Sequence, residues 1–333
     1  MSKLFFREAI ARAIAEEMDR DPRVILLGQD IAEHGGSYAE TRGLYQRFGA
    51  ARVRNTPVAE AVTVGLAAGA ASAGLRPLAF ITYVDFLMLG LDPLVNYAAK
   101  LHFKSAGQLA APMVVKATAG AKGQGPTHAQ SLDPWLMNVP GLTVLAPSTA
   151  GDAYGLLKSA LRAEGPVVYI DHKRLFPLGG EVPDVETLVP IGRAAVRREG
   201  RHITLVSHSY MTVLALEAAR QLATERIEAD VVDLRSLWPV DWETLVSSVR
   251  RTGHVLFIEE GQSVCGVAAE LAFTLQERVT GLRVGRLGAR RVPISASPVL
   301  EAHAIPDACR IAERARQLLL DKSDVLSNEL TQG

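Results

Sequence analysis

Apolar runs of four to six residues recur through the first half of the chain, at 23–27, 77–82, 113–118, 142–145 and 166–170. Between them lie segments at 5–18, 58–73, 86–100 and 150–162 that suit helices; in the first, Phe6, Ile10, Ile14 and Met18 return at helical spacing. Strands that are apolar throughout are buried on both faces, the situation of a parallel sheet covered by helices. A stretch rich in Pro, Gly and acids at 176–184 breaks the rhythm and reads as a linker. A second, shorter alternation follows, with strands expected at 203–207, 229–234, 254–259 and 282–287 and helices at 211–223, 242–250, 267–279 and 306–320. The expectation is two α/β domains in tandem, a parallel-sheet domain over 1–190 and a smaller one over 191–333.

Composition narrows the function classes. With 48% hydrophobic and 22% charged residues the chain can fill two cores, which excludes long disorder. The 36 Lys and Arg balance the 36 Asp and Glu, so no overall field attracts nucleic acid or a membrane surface, and small molecules or proteins are the expected partners. The small-apolar stretch at 59–73 is interrupted by Glu60 and is too short to span a bilayer. The start carries no basic stretch followed by a long apolar run, so the chain reads as cytoplasmic. Cys265 and Cys309 are too few for a disulfide framework or a four-thiolate metal site; both lie in helix-like apolar segments and are expected to be buried free thiols.

Few side chains stand out for chemistry. In Asn55-Thr56-Pro57-Val58-Ala59-Glu60-Ala61, Thr56 suits a helix cap and Pro57 its first position, which puts Glu60 in the first turns. Glu60 there either complements the helix dipole or, because the helix behind it is rich in Gly and Ala, lies where another element approaches closely. Asp85-Phe86 follows a strand, so Phe86 is either a core aromatic or a ligand contact at the carboxyl edge of the sheet. The Gly-rich stretch 120–128 lacks the spacing of a phosphate loop and ends in His128, a solvated loop histidine or a ligand contact. Asp171-His172-Lys173-Arg174 and Glu259-Glu260 have no metal-ligand spacing and read as strand-end polar residues, and no G-x-S-x-G elbow supports a serine hydrolase.

As a set, Gly28-Gln29-Asp30-Ile31-Ala32-Glu33-His34-Gly35-Gly36, Asn55 to Ala61, Ala73-Gly74-Leu75-Arg76-Pro77, His128-Ala129-Gln130-Ser131, Val139-Pro140-Gly141-Leu142, Asp233-Leu234-Arg235 and Ile258-Glu259-Glu260-Gly261 resemble the β subunit of the thiamine-diphosphate-dependent 2-oxo acid dehydrogenases. The resemblance covers nearly the whole chain. It implies a transketolase-like pyrimidine-binding domain followed by a transketolase C-terminal-like domain. It makes Glu60 the carboxylate that hydrogen-bonds the aminopyrimidine ring, so that the ring can exchange the proton needed to activate the thiazolium carbon. Phe86 becomes the aromatic packed on the pyrimidine, with Val58 and Gln29 as further cofactor contacts. His128 becomes the histidine that handles the bound intermediate and acyl transfer to a lipoyl arm. The resemblance also implies a potassium ion held by backbone carbonyls at Met113, Ala160, Leu161, Ala163 and Gly165, with Ala163 standing where relatives carry Asp.

The family's Gly-Asp-Gly and Asn residues for magnesium and diphosphate have no counterpart here. They are assigned to a separate α subunit, which implies a two-plus-two heterotetramer inactive as isolated β chains and a C-terminal domain that contacts the lipoyl acyltransferase core. Gln29 replaces the usual Glu, the stretch 116–127 lacks an Arg-Gly-Pro opening, and Ala129 replaces Ser. Pyruvate is therefore the default substrate, with acetoin and branched-chain acids open. One alternative is the C-terminal half of a split transketolase, against which the Gly28 to Gly36 motif speaks; another, of a different class, is a non-catalytic scaffold subunit.

Overall fold

The structure, a computed structural model, describes residues 1–320, so the end of the expected second domain, 321–333, lies outside the described residues. A seven-stranded sheet runs in the order Ser236–Trp238, Thr143–Leu145, Val167–His172, Val114–Ala119, Arg76–Ile81, Val24–Gly28, Val53–Asn55. All are parallel except Ser236–Trp238, which comes from the second half of the chain and lies antiparallel at one edge. The four central strands are buried along their whole length, as their mostly apolar sequences allow, with Lys116 and Asp171 buried as a pair at 2.7 Å. Helix Phe6–Arg20 sets Phe6, Ile10, Ile14 and Met18 against Tyr154, Leu157 and Leu161 of helix Ala150–Arg162 on one face. Helix Glu60–Ser72 and the helical segment from Asp92 to Lys104 cover the other with Val64, Ala67, Ala68, Leu94 and Ala98.

A five-stranded sheet follows, in the order Arg283–Ala289, His254–Gln262, Ile203–Ser207, Ala229–Asp233, Ala195–Arg198, with only the last antiparallel. The two sheets share one apolar core, in which Val206, Val232 and Phe257 join Val144, Val168 and Ile170. Beside it, Asp152 accepts from Arg235 (3.1 Å) and pairs with Arg197, which also donates to Asp233 at 2.7 Å. Among the described residues no helix is long and apolar enough to cross a membrane.

Part of the segment read as a linker takes up strand structure: its residues Gly179–Val182 pair antiparallel with Ser2–Phe5. Three expectations are corrected. The helix after Pro57 begins only at Glu60, because the Thr56 amide extends the sheet by donating to Gly28 O (2.9 Å) and the Thr56 hydroxyl accepts from Thr63 instead of capping. The helix at 86–100 is broken into an α turn Val84–Leu87, a 3₁₀ turn Met88–Gly90 and a π-helical stretch Asp92–Ala98. Pro93 lacks the N–H that a regular α-helix needs there, and a Cβ on Gly90 would stand 2.8 Å from Val64 Cγ2, so the element lies close on helix Glu60–Ser72. Both cysteines are exposed, Cys265 in the loop before helix Val267–Arg278 and Cys309 on the outer face of helix Ala308–Leu320.

The first domain's helices are also tied by charge. Glu16 accepts from Lys158 (2.6 Å), Tyr154 (2.5 Å) and Arg12 (2.8 Å). Burial alone would raise its carboxyl, yet these donors lower it from 4.5 to about 2. A depressed carboxyl contributes stability above its unfolded value and loses it as pH falls through the folded one. The urea midpoint should therefore fall between pH 4.5 and about 2, and Glu16→Gln should make that fall shallower; an unchanged slope would contradict the role given to this cluster.

Candidate active site

Every residue proposed for chemistry lies beyond the carboxyl end of a parallel strand, where α/β sheets leave a crevice. Gln29 follows Val24–Gly28, Val58 and Glu60 follow Val53–Asn55, Phe86 follows Arg76–Ile81 and His128 closes the loop after Val114–Ala119. Glu60 is half-buried at the first position of its helix, and Gly90, four residues after Phe86, packs against its backbone carbonyl. Gln29 is half-buried one residue beyond Gly28, whose carbonyl receives the Thr56 amide. Val58 is 69% exposed.

Phe86 and His128 come together with their rings edge to face, centroids 5.2 Å apart. Tyr83 completes the cluster, 4.8 Å from His128 and 6.2 Å from Phe86. It sits one residue before the helix turn that carries Phe86, and its isolated position gave no sequence signal. Thr127 Oγ1 lies 3.0 Å from His128 Nδ1, and Gln124 donates to the Tyr83 hydroxyl at 3.2 Å. The ring cluster thus offers an aromatic wall and an imidazole, and Glu60 supplies a carboxylate at the same edge of the sheet; groups of these kinds can bind a flat heterocycle and exchange protons with it.

The loop that carries His128 is held from below by the strand-end cluster Asp171 to Arg174 and by the second domain. A Cβ on Gly120, whose φ is +92°, would stand 1.8 Å from His172 Nε2, so only glycine fits where the loop leaves its strand. His172 Nδ1 accepts from the Arg174 amide (3.1 Å), which leaves the proton on Nε2 to be donated to Glu260 at 2.7 Å. Glu260 also accepts from the Ala121 amide at 2.6 Å. Burial works against its charge, but His172 and this amide hold the carboxyl below its ordinary value. Glu301 accepts from the Gly123 amide (2.6 Å) and from Arg174 (2.8 Å). Lys173 donates to Gly120 O (2.7 Å) and to His128 O, and burial pulls its amine down to about 8 against the attraction of Asp85, Glu260 and Glu301. A neighbouring group, Glu259 with His208 and Asp133, joins the domains further along; burial pushes Glu259 up to about 7. Reading these residues as strand-end polar groups placed them correctly and missed what they hold.

The carbonyls expected to hold potassium do not fit a second cation. Arg76 donates to Leu161 O (3.2 Å) and Ala163 O (2.8 Å), and the carbonyls of Met113 and Ala160 accept from the amides of Val167 and Ala163. Ala163 and Gly165 bring no side-chain ligand, and among the described residues no group of His, Cys, Asp and Glu is arranged to hold a metal. The donor set at Glu60, Phe86 and Val58 does suit the pyrimidine half of thiamine diphosphate, an aminated ring with one face to stack and one nitrogen to pair with a carboxyl group.

Comparison with known proteins identifies the two domains and the family. The transketolase pyrimidine-binding domain family matches residues 2–178, and the transketolase C-terminal domain family matches 192–311. Pyruvate dehydrogenase E1 component subunit beta of Drosophila melanogaster is 40% identical over 94% of this chain and 88% of its own length. The subunit beta of an acetoin:2,6-dichlorophenolindophenol oxidoreductase from Cupriavidus necator is 38% identical over 95% and 98%, and the 2-oxoisovalerate dehydrogenase subunit beta of Bacillus subtilis is 37% identical over 96% and 99%. Among solved structures, a split-gene transketolase in an inactive beta4 tetramer superposes with a TM-score of 0.77 at 26% identity, covering 94% of this chain and 97% of that one. The dehydrogenase relatives share far more sequence than this transketolase does, and the chain belongs to the transketolase-like family of 2-oxo acid dehydrogenase E1 β subunits.

Proposed function

We propose that this chain is the β half of a decarboxylating 2-oxo acid dehydrogenase component, which oxidatively decarboxylates a 2-oxo acid with thiamine diphosphate and passes the acyl group to a lipoyl arm. The observation that carries the reading is the cluster of Phe86, Tyr83 and His128 at the carboxyl edge of the sheet from which the helix opened by Glu60 also starts. Thiamine diphosphate, when bound, supplies the carbon nucleophile and the electron sink for decarboxylation. Glu60 binds the ring nitrogen of its pyrimidine and exchanges a proton there; Phe86 and Val58 pack on the ring. Gln29, one residue beyond the strand end at Gly28, is an amide and so orients a ligand there without taking up a proton. His128, on the neighbouring loop, faces the substrate side and moves a proton during acyl transfer.

The diphosphate and magnesium belong, in this reading, to a partner α subunit, and two copies of each chain form the active unit. An exposed apolar row supports such a partner: Val62 and Leu66, one turn apart on the helix that Glu60 opens, are each 53% exposed, and Val58 precedes them. The second domain is the face for the lipoyl acyltransferase core. Pyruvate is the first substrate to test, followed by acetoin and branched-chain 2-oxo acids, the classes named for its relatives.

In the complex with the α subunit, Glu60→Gln should assemble normally and lose on the order of 100-fold or more in turnover, because an amide cannot exchange the proton. Unchanged decarboxylation would remove Glu60 from the mechanism. His128→Ala should lower lipoyl-dependent acyl transfer far more than decarboxylation followed with an artificial oxidant; equal losses in the two assays would contradict its role.

A further inference from the structure

Lys173 is fully buried at the end of strand Val167–His172, and its ammonium faces the neck of the loop that carries His128. That neck is closed by the Gly120 amide donating to Gln130 O at 3.1 Å, while Gln130 N donates to Asp85 Oδ1 at 3.3 Å. Lys173 Nζ reaches the carbonyls at both ends of the intervening segment, Gly120 O at 2.7 Å and His128 O. The same nitrogen lies 4.8 Å from the centre of the Tyr83 ring, whose edge-to-face partner is His128. One cation therefore touches the loop's entry, the backbone of His128 and the aromatic ring against which the imidazole rests. The charge is answered by Asp85 from the first domain and by Glu260 and Glu301 from the second, with Lys122 opposing it.

We propose that Lys173 is the positioning residue of the active-site loop: through the carbonyls of Gly120 and His128 and the face of Tyr83, it fixes where the His128 imidazole points. The ammonium is too deeply buried to meet substrate and acts only through His128, so this inference rests on the role given to that residue. Small misplacements of a proton-transferring group are enough to cost on the order of 100-fold in rate. Glu260 and Glu301 hold amides nearer the loop's start, and Asp85 holds Gln130 N beyond its end, whereas Lys173 takes the carbonyl of His128 itself.

A double-mutant cycle in the assembled α and β complex tests this. Lys173→Met keeps the length of the stem and removes the donors. It should lower lipoyl-dependent acyl transfer by about tenfold or more, with artificial-oxidant decarboxylation much less affected. Combined with His128→Ala it should add nothing, because both changes remove one function. Amide hydrogen exchange across residues 120–130 should speed up in Lys173→Met, a readout independent of activity. If that variant does not assemble, Lys173→Gln, whose shorter amide keeps a donor, should show the same pattern at smaller amplitude. Full acyl transfer in either variant, losses that multiply in the double variant, or unchanged exchange across 120–130 each overturn the proposal. If His128→Ala alone leaves both assays unchanged, it is the functional reading that fails, while the exchange result still decides whether Lys173 fixes the loop.

Discussion

Four consecutive side chains at the end of one buried strand hold the site together. Asp171 pairs with the buried Lys116 at 2.7 Å, His172 donates to Glu260, Lys173 takes the carbonyls of Gly120 and His128, and Arg174 bridges Ala121 O and Glu301. Side chains alternate across a strand, so one short segment can reach both the sheet's interior and the second domain. Lys116 in turn approaches Glu40 at 3.5 Å, and Glu40 accepts from the Tyr38 amide at 2.9 Å, which fixes the loop that follows Gln29. Removing one member of such a buried charge pair typically costs about 3–5 kcal/mol, because the other is left without compensation. The loops of the crevice are therefore set by buried charges whose partners lie in distant parts of the chain.

That arrangement explains what the sequence could and could not reveal. The sheet was legible because short, mostly apolar runs such as 77–82 and 113–118, alternating with helical segments, suit the middle of a covered parallel sheet, and the strands stand within a residue of them at Arg76–Ile81 and Val114–Ala119. That Phe86 and Glu60 follow strands, and that His128 ends a loop after one, was legible from the alternation of strands and helices; that the Phe86 and His128 rings meet was not. Nor was Tyr83, since a single aromatic before a helix carries no spacing signal. The joining of His172 to Glu260 was hidden too, as the two residues are 88 positions apart and meet only when the second domain packs on the first. Thr56 was misread because a capping pattern is local, whereas its amide is claimed by the sheet at Gly28. The exposed cysteines were misread because apolar neighbours in sequence say little about which side of a helix or loop a residue faces.

The second domain helps to set the loop that carries His128. Glu260 and Glu301 grip the amides of Ala121 and Gly123, so the geometry of the His128 loop depends on how the domains are packed. The shared apolar core and the Asp152, Arg197, Asp233 and Arg235 cluster make that packing close. What the chain exposes is the apolar row beside Glu60, and what it lacks is a cradle for a diphosphate in the Gly-rich loop, whose amides at 121 and 123 are already taken by carboxylates. Both features support the proposal that another chain completes the site.

Native mass spectrometry of the chain, alone and with its α partner, with and without thiamine diphosphate and magnesium, tests that claim most directly. A complex of two copies of each chain that gains two cofactor masses, with no cofactor retained by the β chain alone, is the predicted result. Stoichiometric cofactor binding by the isolated chain, or a cofactor-free assembly in the presence of both subunits, would contradict it.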